Sequence, residues 1–249
     1  MSDTVIDRSA APPVADRLTP WLFAVAIFTS AALVFVVQPM VTRLVLPMLG
    51  GSPAVWNTAM VFFQSALLIG YGYAHLLQKL GSMRVQLGVH LALLLAAAVT
   101  LPLAISGVTG DPDPSAPILW LLATLTLSVG APFAVLSATA PLLQAWYARV
   151  RAGHADGQNP YTLYAASNLG SFLALLAYPV LVEPLAALSG QRWGWSGGYL
   201  LFVLMIAALA GVVWFRRADR RLEPAWSAAR RSPGWSAANG CCWRRPRPA

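Results

Sequence analysis

Six runs of about twenty residues, each almost free of charge, recur along the chain, and each is long enough to cross roughly 30 Å of hydrocarbon at about 1.5 Å per residue. They run from Trp21 to Gln38, Ala54 to Leu77, Val85 to Ile105, Ile118 to Trp146, Tyr161 to Val182 and Gly197 to Phe215. A water-soluble helix would break such runs with a polar residue at every third or fourth position. Of the 249 residues 57% are hydrophobic and only 10% charged, too little polar surface to face water all round. The pattern predicts an all-α, polytopic membrane helix bundle of about six transmembrane helices, with the lipid bilayer as its principal partner.

Three parts follow in order: a polar, disordered leader at residues 1–18, a transmembrane helical domain at 19–215 and a basic low-complexity tail at 216–249. The leader is long and no small-residue cleavage site follows the first apolar core, so the first run reads as a retained anchor and not a cleaved signal. The fourth run exceeds the hydrocarbon thickness as a straight helix, and "SVGAPF" (Ser128 to Phe133) is where it is expected to bend, because Pro132 lacks a backbone donor. With six crossings, Arg8, Arg17, Lys79, Arg84, Arg149, Arg151 and the tail fall on one side, and only Arg43 and Arg192 on the other. The positive-inside rule then places both termini in the cytoplasm. Two full crossings within the fourth run would spoil that asymmetry.

The tail carries nine arginines against two acids, +7 of the chain's +8, so the net charge is local and does not indicate a specific nucleic-acid partner. It resembles a stop-transfer flank meeting anionic lipid. Cys241 and Cys242 are adjacent, a spacing that suits neither a disulfide framework nor a zinc site. The tail has no apolar period. It is either a natural extension or the product of a frameshift in GC-rich coding DNA that truncates the frame, and the second reading is adopted.

Between the first two runs lies "QPMVTRLVLPMLGGSPAVWN", Gln38 to Asn57. Pro39, Pro47 and Pro53 argue against one long helix there, while "LVLPML" is too apolar for a solvated loop, so a short interfacial or re-entrant segment packed against the bundle is expected. Ser52 and Pro53 suit the N-cap and first position of the second helix. Arg43 reads as a snorkelling charge or as a ligand for an anionic group.

On the second run Asn57, Gln64, Tyr71 and His75 are separated by 7, 7 and 4 residues, which at 100° per residue confines them to an arc of about 40°. An unpaired amide in hydrocarbon costs several kcal/mol, so this stripe is expected to face helices or a cavity. The fifth run repeats the pattern with Tyr164, Asn168, Ser171 and Tyr178, beside Ala166, Gly170 and Ala174, small residues at the spacing that lets helices approach closely. With Gln38 and Arg43 these polar residues form a candidate pocket, although packing between helices is the favoured account of the stripes and a ligand or ion pathway the alternative. No Asp or Glu lies within a run, Glu183 being at an end, which disfavours a proton-coupled cation pump. His75, His90 and His154 are scattered and read as hydrogen-bonded or solvated side chains. No G-x-S-x-G turn and no dinucleotide fingerprint is present, so no catalytic residue, metal site or cofactor is expected.

Three stretches, "LVFVVQPMVTRLVLPMLGGSPAVWNTAMVFFQSALLIGYGYAHLL" (Leu33 to Leu77), "SATAPLLQAWYAR" (Ser137 to Arg149) and "NPYTLYAASNLGSFLALLAYPVLVEP" (Asn159 to Pro184), together resemble the multi-pass N-terminal half of bacterial fused proteins in which a major-facilitator-like membrane region precedes a spermidine-synthase-like domain. The resemblance covers about residues 20 to 215 and implies residence in a bacterial inner membrane. It also implies a cytoplasmic synthase-like domain or subunit as partner. None of that domain's catalytic positions has a counterpart here, so the chain is expected to act as a non-catalytic anchor or channelling module for polyamine-related chemistry. The alternatives are a carrier of small uncharged or cationic solutes, polyamines included, and a membrane enzyme for which the sequence offers no residues.

Overall fold

A computed structural model describes residues 14–105, 109–112, 115–152 and 161–215; the first thirteen residues, His154 and the tail with Cys241 and Cys242 lie outside the described residues. Among the described residues every regular element is helical and there is no strand. The order is α1 (Val14–Val45), α2 (Pro53–Gln78), α3 (Met83–Ala98), α4 (Pro117–Leu125), α5 (Ala131–Val150), α6 (Tyr161–Ala177), the single turn α7 (Glu183–Leu185) and α8 (Leu188–Phe215). Among the described residues five spans are long and apolar enough to cross a membrane: Leu18–Met48, Pro53–Gln78, Pro117–Val150, Tyr161–Leu185 and Leu188–Gly211.

The third expected run departs from this pattern. Its helix, α3, is only 16 residues, about 24 Å, and stops at Ala98. Thr100 turns its hydroxyl back onto the Ala97 carbonyl, and Pro102 follows, which removes the donor a continuing helix would need. The described residues from 101 to 105 have no regular structure and bury Leu103 and Ile105 against the core. The chain nonetheless changes ends of the bundle: Gln86 bonds Arg149 at one end, while Trp120 donates to the Gly110 carbonyl at the other.

The stretch from Gln38 to Asn57 is also not as expected. α1 continues through Pro39 to Val45, and no re-entrant segment forms. Proline removes one backbone donor in a helix, and polar side chains beside it can re-satisfy backbone groups of the adjoining turns. Gln38 donates its side-chain amide to the Val34 carbonyl at 3.2 Å, and Thr42 its hydroxyl to the Gln38 carbonyl at 2.8 Å. The apolar "LVLPML" stretch is therefore helix end and a 3-10 turn, Leu46–Met48. The reversal itself rests on Gly50 and Gly51, both at positive φ (76° and 64°), where a side chain would be strained. Pro53 does open α2, and Ser52 precedes it in extended conformation but caps through its carbonyl alone, accepting from Val55 and Trp56.

The fourth run behaves as one span in which a π segment, Thr126–Gly130, joins α4 to α5 at the place where a bend was expected. A second π segment, Tyr178–Val182, extends α6. α5 occupies the middle of the bundle, packed on α1, α2 and α3, while α6 packs chiefly on α1 and is the least buried of the five spans. Phe62 meets Phe63 edge-on and Phe63 lies tilted against Phe133 at the α2–α5 contact, and Phe23 meets Tyr147 edge-on. Buried rings with polar handles find acceptors: Trp195 donates to the Leu33 carbonyl at 2.9 Å and Tyr199 to the Leu94 carbonyl at 3.0 Å. In lipid, where apolar burial gives no advantage of one helix over another, such packing and interhelical bonds hold the bundle.

Candidate functional site

Polar side chains from three helices line one open groove of about 530 Å³. α2 contributes Tyr71, His75 and Gln78, α5 contributes Gln144 and α6 contributes Tyr164, Ser167, Asn168 and Ser171, with Phe35, Ala74, Ala140 and Pro141 as the apolar floor. Helical spacing explains the convergence. On α2 the buried line Phe63, Ala66, Gly70, Ala74, Leu77 packs on the bundle, which turns Tyr71, His75 and Gln78 to the flank of that contact. On α6 Leu163, Gly170 and Ala174 are buried, and the polar residues lie beside them. Ser171 keeps its hydroxyl on the Ser167 carbonyl at 3.0 Å. The lining contains amides, hydroxyls, phenols and an imidazole but no carboxylate, lysine or arginine. Its chemistry is hydrogen bonding without fixed charge.

A second groove, about 410 Å³, lies at the other end of α6 and is lined by Pro39, Arg43, Leu46, Trp56, Leu175, Tyr178, Pro179 and Glu183. Arg43 pairs with Glu183 at 3.1 Å, so the anionic partner left open by the sequence is a residue of the chain itself. Tyr178 is buried and donates its hydroxyl to Gln191 at 3.0 Å, and Gln191 in turn donates to the Ala186 carbonyl at 2.8 Å, tying the far end of α6 to α8.

The structure thus divides the ten candidate residues. Tyr71, His75, Tyr164, Asn168 and Ser171 come together in the first groove; Arg43 and Tyr178 line the second. Gln38 is half-buried and bonds within its own helix, lining neither groove. Asn57 and Gln64 are exposed and line neither, so only the lower half of the α2 stripe meets a cavity. Gln78, Gln144 and Ser167 were missed. Ser167 and Gln78 lie four and three residues from residues already in the two stripes, and extending the helical period would have found them; Gln144 belongs to no stripe.

A buried polar cluster between α2, α3 and α5 was also missed. Gln86, fully buried, accepts from Trp146 at 2.9 Å and from Arg149 at 3.1 Å, and donates to the Leu80 carbonyl at 2.5 Å. One turn on, His90 bonds Thr139 at 3.1 Å and Tyr73 at 3.4 Å and meets Trp146 edge-on. Both ring nitrogens are engaged, which makes His90 a packing residue. Among the described residues no three His, Cys, Asp or Glu side chains gather as a metal site. Comparisons with protein-family models, curated proteins and solved structures found no significant match.

Proposed function

We propose that the chain is the non-catalytic membrane module of a spermidine-synthase-like system in a bacterial inner membrane, and that the groove between α2 and α6 receives a small hydrogen-bonding solute, uncharged or cationic. The solute reading is carried by the concentration of Tyr71, His75, Gln144, Tyr164 and Asn168 around one open groove, and the module reading rests on the resemblance carried by Leu33 to Leu77, Ser137 to Arg149 and Asn159 to Pro184. Left to lipid, those amides and hydroxyls would each be costly.

Orientation supports it. Counting α3 with its irregular extension as a crossing gives six, and the groove then opens at the end bearing Lys79, Arg84 and Arg149, which the positive-inside rule puts in the cytoplasm. A solute held there faces the compartment in which a synthase-like domain or subunit would act. The test is uptake of radiolabelled putrescine and of the uncharged polyol ribitol into proteoliposomes. Asn168→Leu combined with Tyr71→Phe is expected to lower the flux of the transported solute at least tenfold. Flux that is unaltered by the pair removes the solute reading and leaves a module whose role is anchoring.

A further inference from the structure

The second groove differs in kind from the first, because two opposite charges meet at its wall. Arg43 and Glu183 are each about two-fifths exposed, 42% and 41%, and a pair so open to its surroundings stabilises the fold little. Both head groups are therefore available to a third party at small structural cost. Trp56, 47% exposed, presents its ring to the same space, and aromatic faces attract ammonium groups. Tyr178 donates its hydroxyl to Gln191, and the oxygen of that hydroxyl is a hydrogen-bond partner of Arg43, so it helps to aim the guanidinium into the groove. Pro39, Leu46, Leu175 and Pro179 supply apolar walls. The groove is built on the π segment Tyr178–Val182, whose wider turn shifts the register of the residues after it, Glu183 included. Such segments gather at functional sites.

We propose that this groove binds a zwitterion, a primary ammonium joined to an oxyanion, which opens the Arg43–Glu183 pair and takes one charge from each. Charge balance selects that class. A simple cation drawn to Glu183 would leave Arg43 unpaired, and a simple anion on Arg43 would strand Glu183; a zwitterion replaces one ion pair by two. The ammonium lies on Glu183 and against Trp56, the oxyanion on Arg43, and an apolar substituent against the leucines. The 410 Å³ available falls within the usual range for small-molecule pockets. The same chemistry is carried by a free amino acid with an apolar side chain and by an aminophospholipid headgroup.

The experiment uses the full chain purified in detergent. Equilibrium dialysis with radiolabelled leucine reads the free solute, and native mass spectrometry with phosphatidylethanolamine against phosphatidylglycerol reads the lipid. At least one zwitterion is expected to bind, with butylamine and butyrate competing at least tenfold more weakly than that zwitterion. Retention of leucine alone assigns a soluble ligand; retention of phosphatidylethanolamine alone assigns the headgroup. Arg43→Gln and Glu183→Gln should each weaken binding at least tenfold. Trp56→Leu, at an exposed ring, should weaken it severalfold and provides the readout if a charge variant fails to fold. Asn168→Leu, in the other groove, should leave it unchanged, which separates this site from the solute groove. Absence of binding by both zwitterions, binding that survives the substitutions, equal competition by butylamine, or loss on Asn168→Leu would each overturn the assignment.

Discussion

Gly170→Ala should destabilise the folded bundle by about 3 kcal/mol or more, and Gly70→Ala by a similar amount, while Gly72→Ala leaves it unchanged or stabilises it by up to about 1 kcal/mol. A methyl group at Gly170 would sit 2.5 Å from the Phe28 carbonyl oxygen and 3.2 Å from its carbonyl carbon. Those are backbone atoms, and α1 cannot rotate them away; it must move bodily off α6. Since α6 packs chiefly on α1, that displacement removes most of what holds α6. At Gly70 the methyl would collide with Ser137 Oγ and come within 2.5 Å of the Ala134 carbonyl. The hydroxyl can turn, but the carbonyl belongs to the central helix α5. Gly72 lies two residues further along α2 with nothing near it, and there alanine contributes only its better helix propensity. Denaturation by SDS in mixed micelles, followed by loss of helicity, measures all three. Equal effects at Gly70, Gly72 and Gly170 would mean that propensity, and not contact distance, governs these glycines.

Much of the architecture was legible because lipid imposes a simple rule, a long apolar run closed on its own backbone bonds. The second, fourth and fifth runs reappear within a few residues of their expected ends. The sixth begins earlier than expected, because Gln191, Arg192 and Ser196 look like loop residues in sequence, while Ser196 bonds the Arg192 carbonyl and Gln191 bonds Tyr178. Pro39 was misread for a related reason. Proline is a strong breaker in water, but helices packed in a membrane bundle tolerate it, and α1 continues through Pro39. The short α3 was hidden because Val85 to Ile105 is apolar apart from Gln86, His90 and Thr100, and such a run does not separate a helix from a buried irregular segment of chain.

The candidate site was legible in its helical registers but not in its partners. The α2 and α6 stripes each follow from spacing, and half of the α2 stripe does reach a groove. That Tyr71 and His75 would share it with Gln144 depends on which helices are neighbours. The sequence of one helix carries no such information. The cluster around Gln86 was invisible for the same reason, since its two side-chain donors lie 60 and 63 residues away.

That cluster yields the other large effect. Trp146→Ala should cost about 3 to 5 kcal/mol, because Trp146 is fully buried and its removal opens a cavity that α3 and α5 cannot close without moving. In lipid the transfer part of that cost shrinks, since hydrocarbon tails are as apolar as the interior, but the lost contacts remain. Trp146→Phe retains most of the ring and removes the indole donor, and Gln86→Leu retains the volume and removes the acceptor; each should cost about 1 to 3 kcal/mol for the polar groups left unpaired. Arg149 adds little in either case, because its head group is only part-buried and can turn toward water or lipid headgroups. The double variant should then be less destabilised than the sum of the singles by about 1 kcal/mol or more, because once the indole donor is gone the glutamine acceptor has lost its buried partner. Strict additivity in the same SDS titration would mean that the two side chains act independently, and that α3 is held to α5 by shape and not by this bond.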